Sequence, residues 1–175
     1  PPREVPTLGG ATFAIGAAPE YPNADEGWGL PTLAPYPGIP ELSWHIIEGA
    51  VADEFDVATC QEMRVDHAFT VPIGLLWPGN HRFVKTAPVA VNTVQHPLPT
   101  PQRCYKLGQA IGRAIESYPE DLRVVVLGTG GLSHQLDGRR AGFINKGFDL
   151  FCLDKIASDP AALASLSIRD LVAAA

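Results

Sequence analysis

Apolar and polar positions alternate along the chain in a way that predicts strands interleaved with helices. Short apolar runs that suit strands occupy residues 11–15, part of 57–64, 83–94 and 123–127. Helices are predicted over residues 40–53, 101–118 and 143–156, with two short ones over 160–163 and 167–171. Pro40 and Pro101 suit a first helical turn, and Thr100 is a candidate N-cap. We predict an α/β fold, a three-layer sandwich around a mostly buried sheet. This chain is not expected to supply every outer strand of that sheet.

Proline and glycine concentrate in the first 40 residues, which hold nine of the 17 prolines. Because proline removes a backbone donor, this segment is predicted to be a loop-rich stretch with one short strand that wraps a core formed elsewhere. We predict a single domain over residues 1–175, with 1–40 as its wrapping segment.

Composition limits the classes of protein to which this chain can belong. An apolar content of 46% permits a sizeable core, and a formal charge of −6 disfavours nonspecific nucleic-acid binding. The sequence shows no signal-peptide pattern and no apolar run near the roughly 20 residues that span a membrane, so we expect a cytoplasmic protein. Cys60, Cys104 and Cys152 are widely spaced in apolar surroundings and are predicted to be reduced core thiols.

The segment VVVLGTGGLSHQ, residues 124–135, is the strongest candidate for chemistry. Its four aliphatic residues predict a strand buried on both faces, and Gly128, Gly130 and Gly131 permit unusual backbone angles or close approach to a ligand. The loop delivers His134, and an imidazole with an ordinary pKa of about 6.5 suits proton transfer near neutral pH. The alternative is a plain turn with a surface histidine.

A second histidine, His67, follows Asp66 after another predicted strand. Ligands collect outside the carboxyl ends of strands in open α/β sheets, so we predict one site shared by His67 and His134. The alternative for His67 is a surface Asp–His pair or a capped turn. Of the remaining histidines, His45 is predicted to be packed or hydrogen-bonded on a helix, and His81 and His96 to be loop residues, with His81 exposed.

Together with these two histidine segments, five others carry a resemblance to a known family: ADEGWG (24–29), DEFD (53–56), RCYKLG (103–108), ESYPEDL (116–122) and RAGFIN (140–145). From about Ala11 to the C-terminus, the chain resembles the class III extradiol ring-cleaving dioxygenases, within them the catalytic beta subunits that act on protocatechuate and gallate. The block around His134 is the most specific part, and residues 1–10 do not match the family pattern.

The resemblance implies one Fe(II) held by two histidines and a glutamate, with open positions for a catechol and for dioxygen. In the family these ligands lie upstream of Pro1 and beyond Ala175, so we expect no metal ligand in this chain and interpret it as an internal portion or a deletion of such an enzyme. His134 is then expected to be the general acid/base, and His67 a second-sphere donor to the bound oxygen species or substrate. A small helical alpha subunit, or a fused equivalent, and a homo-oligomer are the expected partners.

Three alternatives remain open. A hydrolase would use Ser133 with His134, but the Gly-x-Ser-x-Gly motif is absent. A phosphate-binding role for the same glycine loop is disfavoured because the loop lacks the Lys-Ser/Thr end of a phosphate-binding loop. A metal-free fragment or assembly module would keep the fold without turnover. Arg139 and Arg140 would bind a substrate carboxylate or, more simply, meet solvent or a neighbouring acid.

Overall fold

Eleven strands and helices follow one another along residues 11–27, 33–135 and 138–174, which are the residues described in the computed structural model. The strands are β1 (Phe13–Gly16), β2 (Glu20–Tyr21), β3 (Tyr36–Pro37), β4 (Ala58–Cys60) and β5 (Val89–Val91). The helices are α1 (Pro40–Ala52), α2 (His67–Leu76), α3 (Pro101–Glu116), α4 (Lys146–Ser158), α5 (Pro160–Ala164) and α6 (Ile168–Ala174). The predicted α/β class is confirmed.

The chain divides into two compact units. The first contains Pro1–Leu98 and Ala110–Thr129, and the second contains Pro99–Gln109 and Gly130–Ala175. Both sheets lie in the first unit, whereas α4, α5 and α6 lie in the second.

Strand β1 is the centre of a three-stranded sheet with the order β4-β1-β5. It pairs in parallel with β4, with Ala14 opposite Ala58, and antiparallel with β5, with Ala14 opposite Ala90. Strands β2 and β3 form a separate antiparallel pair. Because hydrogen-bonded neighbours flank β1 on both edges, it is the strand that this sheet buries most completely.

The two faces of β1 belong to different hydrophobic clusters, because successive side chains of a strand point to opposite faces. Ala14 packs in one cluster with the β2–β3 tyrosines and with Ile73 of α2. Ile15 packs in the other with Ile46 and its neighbours on α1 and with Ala114 near the end of α3. Helices therefore cover both faces of the sheet, in agreement with the predicted sandwich.

Local sequence signals predicted the two longest sheet-covering helices well. Pro40 is the first residue of α1, and Thr100 Oγ1 accepts a hydrogen bond of 3.2 Å from the Arg103 amide at the start of α3. The apolar stripe of α1 is buried as predicted, with the exception of Val51, which is 59% exposed. Among the described residues, no helix combines the length and apolar character needed to cross a membrane.

The predicted buried strand over residues 124–127 is wrong. In the part of the chain that the structure describes, this segment belongs to no strand, and Val125 and Val126 are 70% and 76% exposed. An apolar run becomes a buried strand only where a neighbour supplies hydrogen bonds and covers its faces, and no described segment does so for this run. Among the described residues, α3 is therefore followed by no strand, and β4 and β5 are shorter than the apolar runs that predicted them.

The expectation for the first 40 residues also needs correction. Their described part contains three short strands instead of one, and the side chains of Phe13, Tyr21 and Tyr36 are fully buried. This segment therefore builds the core and does not merely wrap it. Proline is compatible with this because its carbonyl still accepts, as Pro19 does from the Gly38 amide at 2.7 Å.

The cysteines have no disulfide, as predicted. Cys152 is buried, while Cys60 and Cys104 are half-buried. Burial raises the pKa values of the Cys104 and Cys152 thiols, which keeps both in the unreactive protonated form near neutral pH.

Gly38 provides a test of the packing around β3. A Cβ at this position would lie 2.0 Å from the Ala18 carbonyl oxygen, so Gly38→Ala must displace backbone. We expect a loss of about 1–3 kcal/mol in the free energy of unfolding, seen as a lower thermal midpoint. Gly112→Ala is the matched control, because its Cβ would meet open space within α3. There, alanine in place of glycine should raise the free energy of unfolding by roughly 0.5–1 kcal/mol. A Gly38→Ala midpoint at or above that of the unchanged chain would contradict the packing.

Candidate functional site

His67 is the first residue of α2. Asp66 caps this helix, and its Oδ1 accepts a hydrogen bond of 3.1 Å from the Ala68 amide. The expected strand running directly into His67 is not observed, since β4 ends at Cys60. The capped-turn alternative therefore describes the local backbone, with Asp66 as the cap of α2.

The carboxylate of Glu26 holds His67 by two hydrogen bonds. Its Oε2 accepts from the His67 backbone N–H at 2.8 Å, and its Oε1 lies 2.6 Å from His67 Nδ1. The Glu26 side chain is only 13% exposed, whereas the His67 side chain is 46% exposed. The pair thus has a shielded carboxylate and an imidazole that solvent or a ligand can reach.

A backbone ladder brings these two residues together across 41 positions of sequence. Val65 donates its N–H to the Pro22 carbonyl and accepts from the Ala24 N–H, both at 2.9 Å, in a parallel bridge opposite Asn23. The two segments therefore run side by side and reach Glu26 and His67 together. Sequence reasoning missed Glu26, although it lies in one of the segments that carried the resemblance.

Glu26, Asp66 and His67 form a group with metal-ligand chemistry. One ligand atom from each lies within 4.8 Å of the others, and it is the one such group found among the residues that the structure describes. It offers one histidine and two carboxylates, whereas the arrangement implied by the resemblance needs two histidines and one carboxylate. Both carboxylates also already accept hydrogen bonds from the start of α2. The group does not fit the family's iron site.

His134 lies in the second unit, on a loop anchored by its neighbour Ser133. Ser133 is 3% exposed, its N–H donates to Asp149 Oδ1 at 2.8 Å, and its Oγ accepts from the Asn145 N–H at 2.8 Å. Asn145 in turn caps α4 by accepting from the Phe148 amide. The loop is thus fixed to the N-terminal turn of α4. This use of Ser133 as an anchor disfavours the hydrolase alternative.

Two glycines of the His134 loop occupy positions that disfavour a side chain. Gly130 has a φ of +117°, which side chains rarely adopt, and a Cβ at Gly131 would lie 3.2 Å from His134 Nδ1. The imidazole packs against Gly131 and remains exposed. His134 is therefore supported by the start of α4 and not by the predicted strand. The unusual backbone angle expected of the loop glycines is confirmed at Gly130, whereas close approach of a ligand stays a prediction.

The two predicted site histidines fall in different units, His67 in the first and His134 in the second. Their shared site stays a prediction. His45 is hydrogen-bonded to Ser117 Oγ at 3.0 Å, as expected for a packed histidine. His81 was expected to be exposed, but it is half-buried and its Nε2 donates to the Ala34 carbonyl at 2.8 Å.

The remaining loop candidates are exposed. His96 lies in an open loop, as predicted. Arg139 and Arg140 belong to a short 3-10 turn, Gly138–Arg140, and the Arg140 guanidinium lies 4.3 Å from the centroid of the Phe143 ring. This stacking gives Arg140 a local partner and supports the simpler of its two interpretations.

Comparison with known proteins identifies relatives. The family model described as the catalytic LigB subunit of aromatic ring-opening dioxygenase matches residues 7–175. Gallate dioxygenase from Pseudomonas putida is 44% identical over 148 residues, covering 84% of this chain and 44% of that protein. A 2,3-dihydroxyphenylpropionate/2,3-dihydroxicinnamic acid 1,2-dioxygenase from Photorhabdus laumondii is 40% identical over 97 residues, covering 55% of this chain and 30% of that protein. The chain thus spans less than half the length of these relatives.

The Ser133 anchor can be tested by amide hydrogen exchange. Ser133→Ala removes the acceptor of the Asn145 N–H, and an unsatisfied donor costs about 1–3 kcal/mol. We therefore expect exchange at the Asn145 amide to accelerate by roughly 5- to 150-fold. Ser158→Ala is the control, since Ser158 Oγ only donates to the Asp154 carbonyl on the exposed surface of α4. Equal Asn145 exchange rates in both variants would show that the anchor does not hold the loop.

Proposed function

The chain belongs to the family of catalytic LigB subunits of aromatic ring-opening dioxygenases, and from this membership we propose that it serves extradiol ring cleavage of a catecholic aromatic acid. The observation that carries the proposal is the 44% identity to gallate dioxygenase over 84% of the chain. Because one family model matches residues 7–175, we treat residues 1–175 as one catalytic domain.

The proposed substrate class is a ring with adjacent hydroxyls and a carboxylate, such as gallate or protocatechuate. The names of the relatives support this class, since gallate, dihydroxyphenylpropionate and dihydroxycinnamate each combine these groups. The longer match to gallate dioxygenase favours a benzoate over a substrate with an extended side chain.

His134 is proposed as the general acid/base. Its imidazole is exposed to solvent, and the contact between Ser133 and Asn145 fixes its loop to the start of α4. A group that exchanges protons is therefore held in a defined position. His67 is proposed as a second proton-handling group. Its half-exposed ring, held by the shielded carboxylate of Glu26, supports that role.

The proposed metal is Fe(II), which would supply binding positions for the catechol and for dioxygen. The described residues do not provide its two-histidine, one-carboxylate set, as the composition of the Glu26 group shows. We propose that residues other than the Glu26 group hold the iron.

Partners are also proposed. A small alpha subunit or fused equivalent, and a second copy of the catalytic chain, would cover apolar surface that the structure leaves exposed. On α2, Leu75 and Leu76 are 76% and 53% exposed, which supports a covered face. The three cysteines without disulfides fit a reducing compartment such as the cytoplasm.

The function is tested by oxygen uptake in the iron-loaded enzyme that includes these residues. We expect gallate or protocatechuate to drive uptake of one dioxygen per ring opened, followed with an oxygen electrode and by product analysis. Absence of uptake with catecholic acids would contradict the proposed function.

The 175-residue chain alone tests where the iron ligands lie. After anaerobic reconstitution with Fe(II), we expect no stoichiometric iron and no uptake, since the described residues lack the ligand set. Near-stoichiometric iron with catechol-dependent uptake would contradict this and place the ligands within the chain.

The two histidines predict different kinetic effects in the iron-loaded enzyme. His134→Ala should lower kcat by roughly 10²- to 10⁴-fold with iron content unchanged, because a positioned acid/base is lost. His67→Ala should lower kcat less. His96→Ala, in an exposed loop, is the control and should match the unchanged enzyme. Loss of iron from His134→Ala would show that His134 is a metal ligand, and unchanged kinetics in His67→Ala would assign His67 a structural role.

A further inference from the structure

The contact between Glu26 and His67 carries an inference that deepens the proposed function and rests on it. We propose that Glu26 is a positioning residue that fixes the tautomer and orientation of His67, so that His67 exchanges protons with the bound aromatic ligand through Nε2. The contact is a hydrogen bond between Glu26 Oε1 and His67 Nδ1, which lie 2.6 Å apart.

The tautomer follows from the chemistry of the two groups. A carboxylate accepts hydrogen bonds and does not donate them, so the proton in this contact belongs to His67 Nδ1. A neutral imidazole has a single N–H, and Nε2 therefore carries the lone pair. In the neutral state His67 accepts a proton at Nε2, and it donates there only after the ring becomes doubly protonated.

The orientation follows from the second hydrogen bond of the same carboxylate. Glu26 Oε2 accepts from the His67 backbone N–H at 2.8 Å, and this N–H belongs to the first turn of α2, where helical partners are lacking. The carboxylate is thereby fixed to the helix and fixes the ring in turn. With Glu26 only 13% exposed, water competes little for either bond.

This arrangement changes the role expected for His67. The resemblance implied that His67 donates a hydrogen bond to an oxygen species or to the substrate. The geometry instead assigns His67 Nε2 as a proton acceptor in the first step. His67 Nε2 accepts the proton of a ligand hydroxyl and leaves an oxyanion on the ligand. The imidazolium later gives the same proton back from Nε2 to an oxygen of the ligand. No electron transfer or additional reactant is involved.

The same residues could instead bind a metal ion, and the two interpretations make opposite demands on Nδ1. A ligating Nδ1 must present its lone pair, whereas the hydrogen bond to Glu26 requires a proton there. The protonation state of Nδ1 therefore distinguishes a positioning contact from a metal site.

Glu26→Gln is the decisive variant because glutamine keeps the size of the side chain. Its amide oxygen can accept from the His67 backbone N–H while its NH₂ donates to Nδ1, which moves the ring proton to Nε2. Long-range ¹H–¹⁵N NMR of the 175-residue chain, at a pH where the His67 ring is neutral, reports the tautomer directly. We expect a protonated Nδ1 in the unchanged chain and a protonated Nε2 in Glu26→Gln.

Asp25→Asn is the matched control. It makes the same change of charge one residue earlier, at an exposed carboxylate that accepts a hydrogen bond of 3.0 Å from the Gly27 amide. The His67 tautomer should stay as in the unchanged chain. A protonated Nε2 in the unchanged chain, or the same tautomer in Glu26→Gln, would overturn the proposal. Stoichiometric Zn²⁺ binding that removes the Nδ1 proton would overturn it in favour of a metal site.

Kinetics in the iron-loaded enzyme tests whether positioning matters for turnover. Glu26→Gln should lower kcat by roughly 10- to 100-fold, as for other residues that orient a functional histidine, with KM for gallate, iron content and thermal midpoint nearly unchanged. Glu26→Asp, which keeps the charge, should restore part of the loss. An unchanged kcat in Glu26→Gln would overturn the catalytic part of the proposal. If the unchanged enzyme consumes no catechol, the proposed function fails, and the NMR result still decides whether Glu26 fixes the tautomer.

Discussion

The parallel pairing of β1 with the chain around β4 is the interaction on which the first unit depends. It begins with Ala14 opposite Ala58, continues through the hydrogen bond of 2.9 Å from the Ala17 amide to the Cys60 carbonyl, and resumes where Asn23 bridges Val65. This register divides the core between the two faces of β1 and brings Glu26 to the start of α2. A side chain contact at the candidate site is therefore a product of backbone hydrogen bonds that begin about ten residues earlier.

The features that the sequence predicted correctly are those with local causes. Pro40 and the Thr100–Pro101 pair mark the starts of α1 and α3, and the spacing of Leu42, Ile46 and Ile47 identifies the buried face of α1. These signals depend on neighbours within one or two helical turns. The exposed run at 124–127 shows the limit, because aliphatic side chains become buried only where another element covers them, and no local pattern specifies that element.

The candidate site shows the same division between local and distant causes. His67 and His134 were recognised from their own segments, but the groups that hold them are Glu26 and the Ser133–Asn145 contact, which join positions 41 and 12 residues apart. The two imidazoles differ in support. One is tied to a carboxylate through Nδ1, and the other packs against the backbone of Gly131. This difference in support is the basis on which different roles are proposed for the two histidines.

The exposed aliphatic run at 124–127 has a consequence for how the 175-residue chain behaves at high concentration. Three valines and a leucine form an exposed, uncharged apolar run, and in the described part of the chain this run pairs with no strand, so its backbone offers donors and acceptors to a second molecule. Arg123 at its start and the formal charge of −6 oppose such association by electrostatic repulsion. Because added salt screens this repulsion and leaves the apolar attraction intact, we expect association through this run to strengthen as the ionic strength rises.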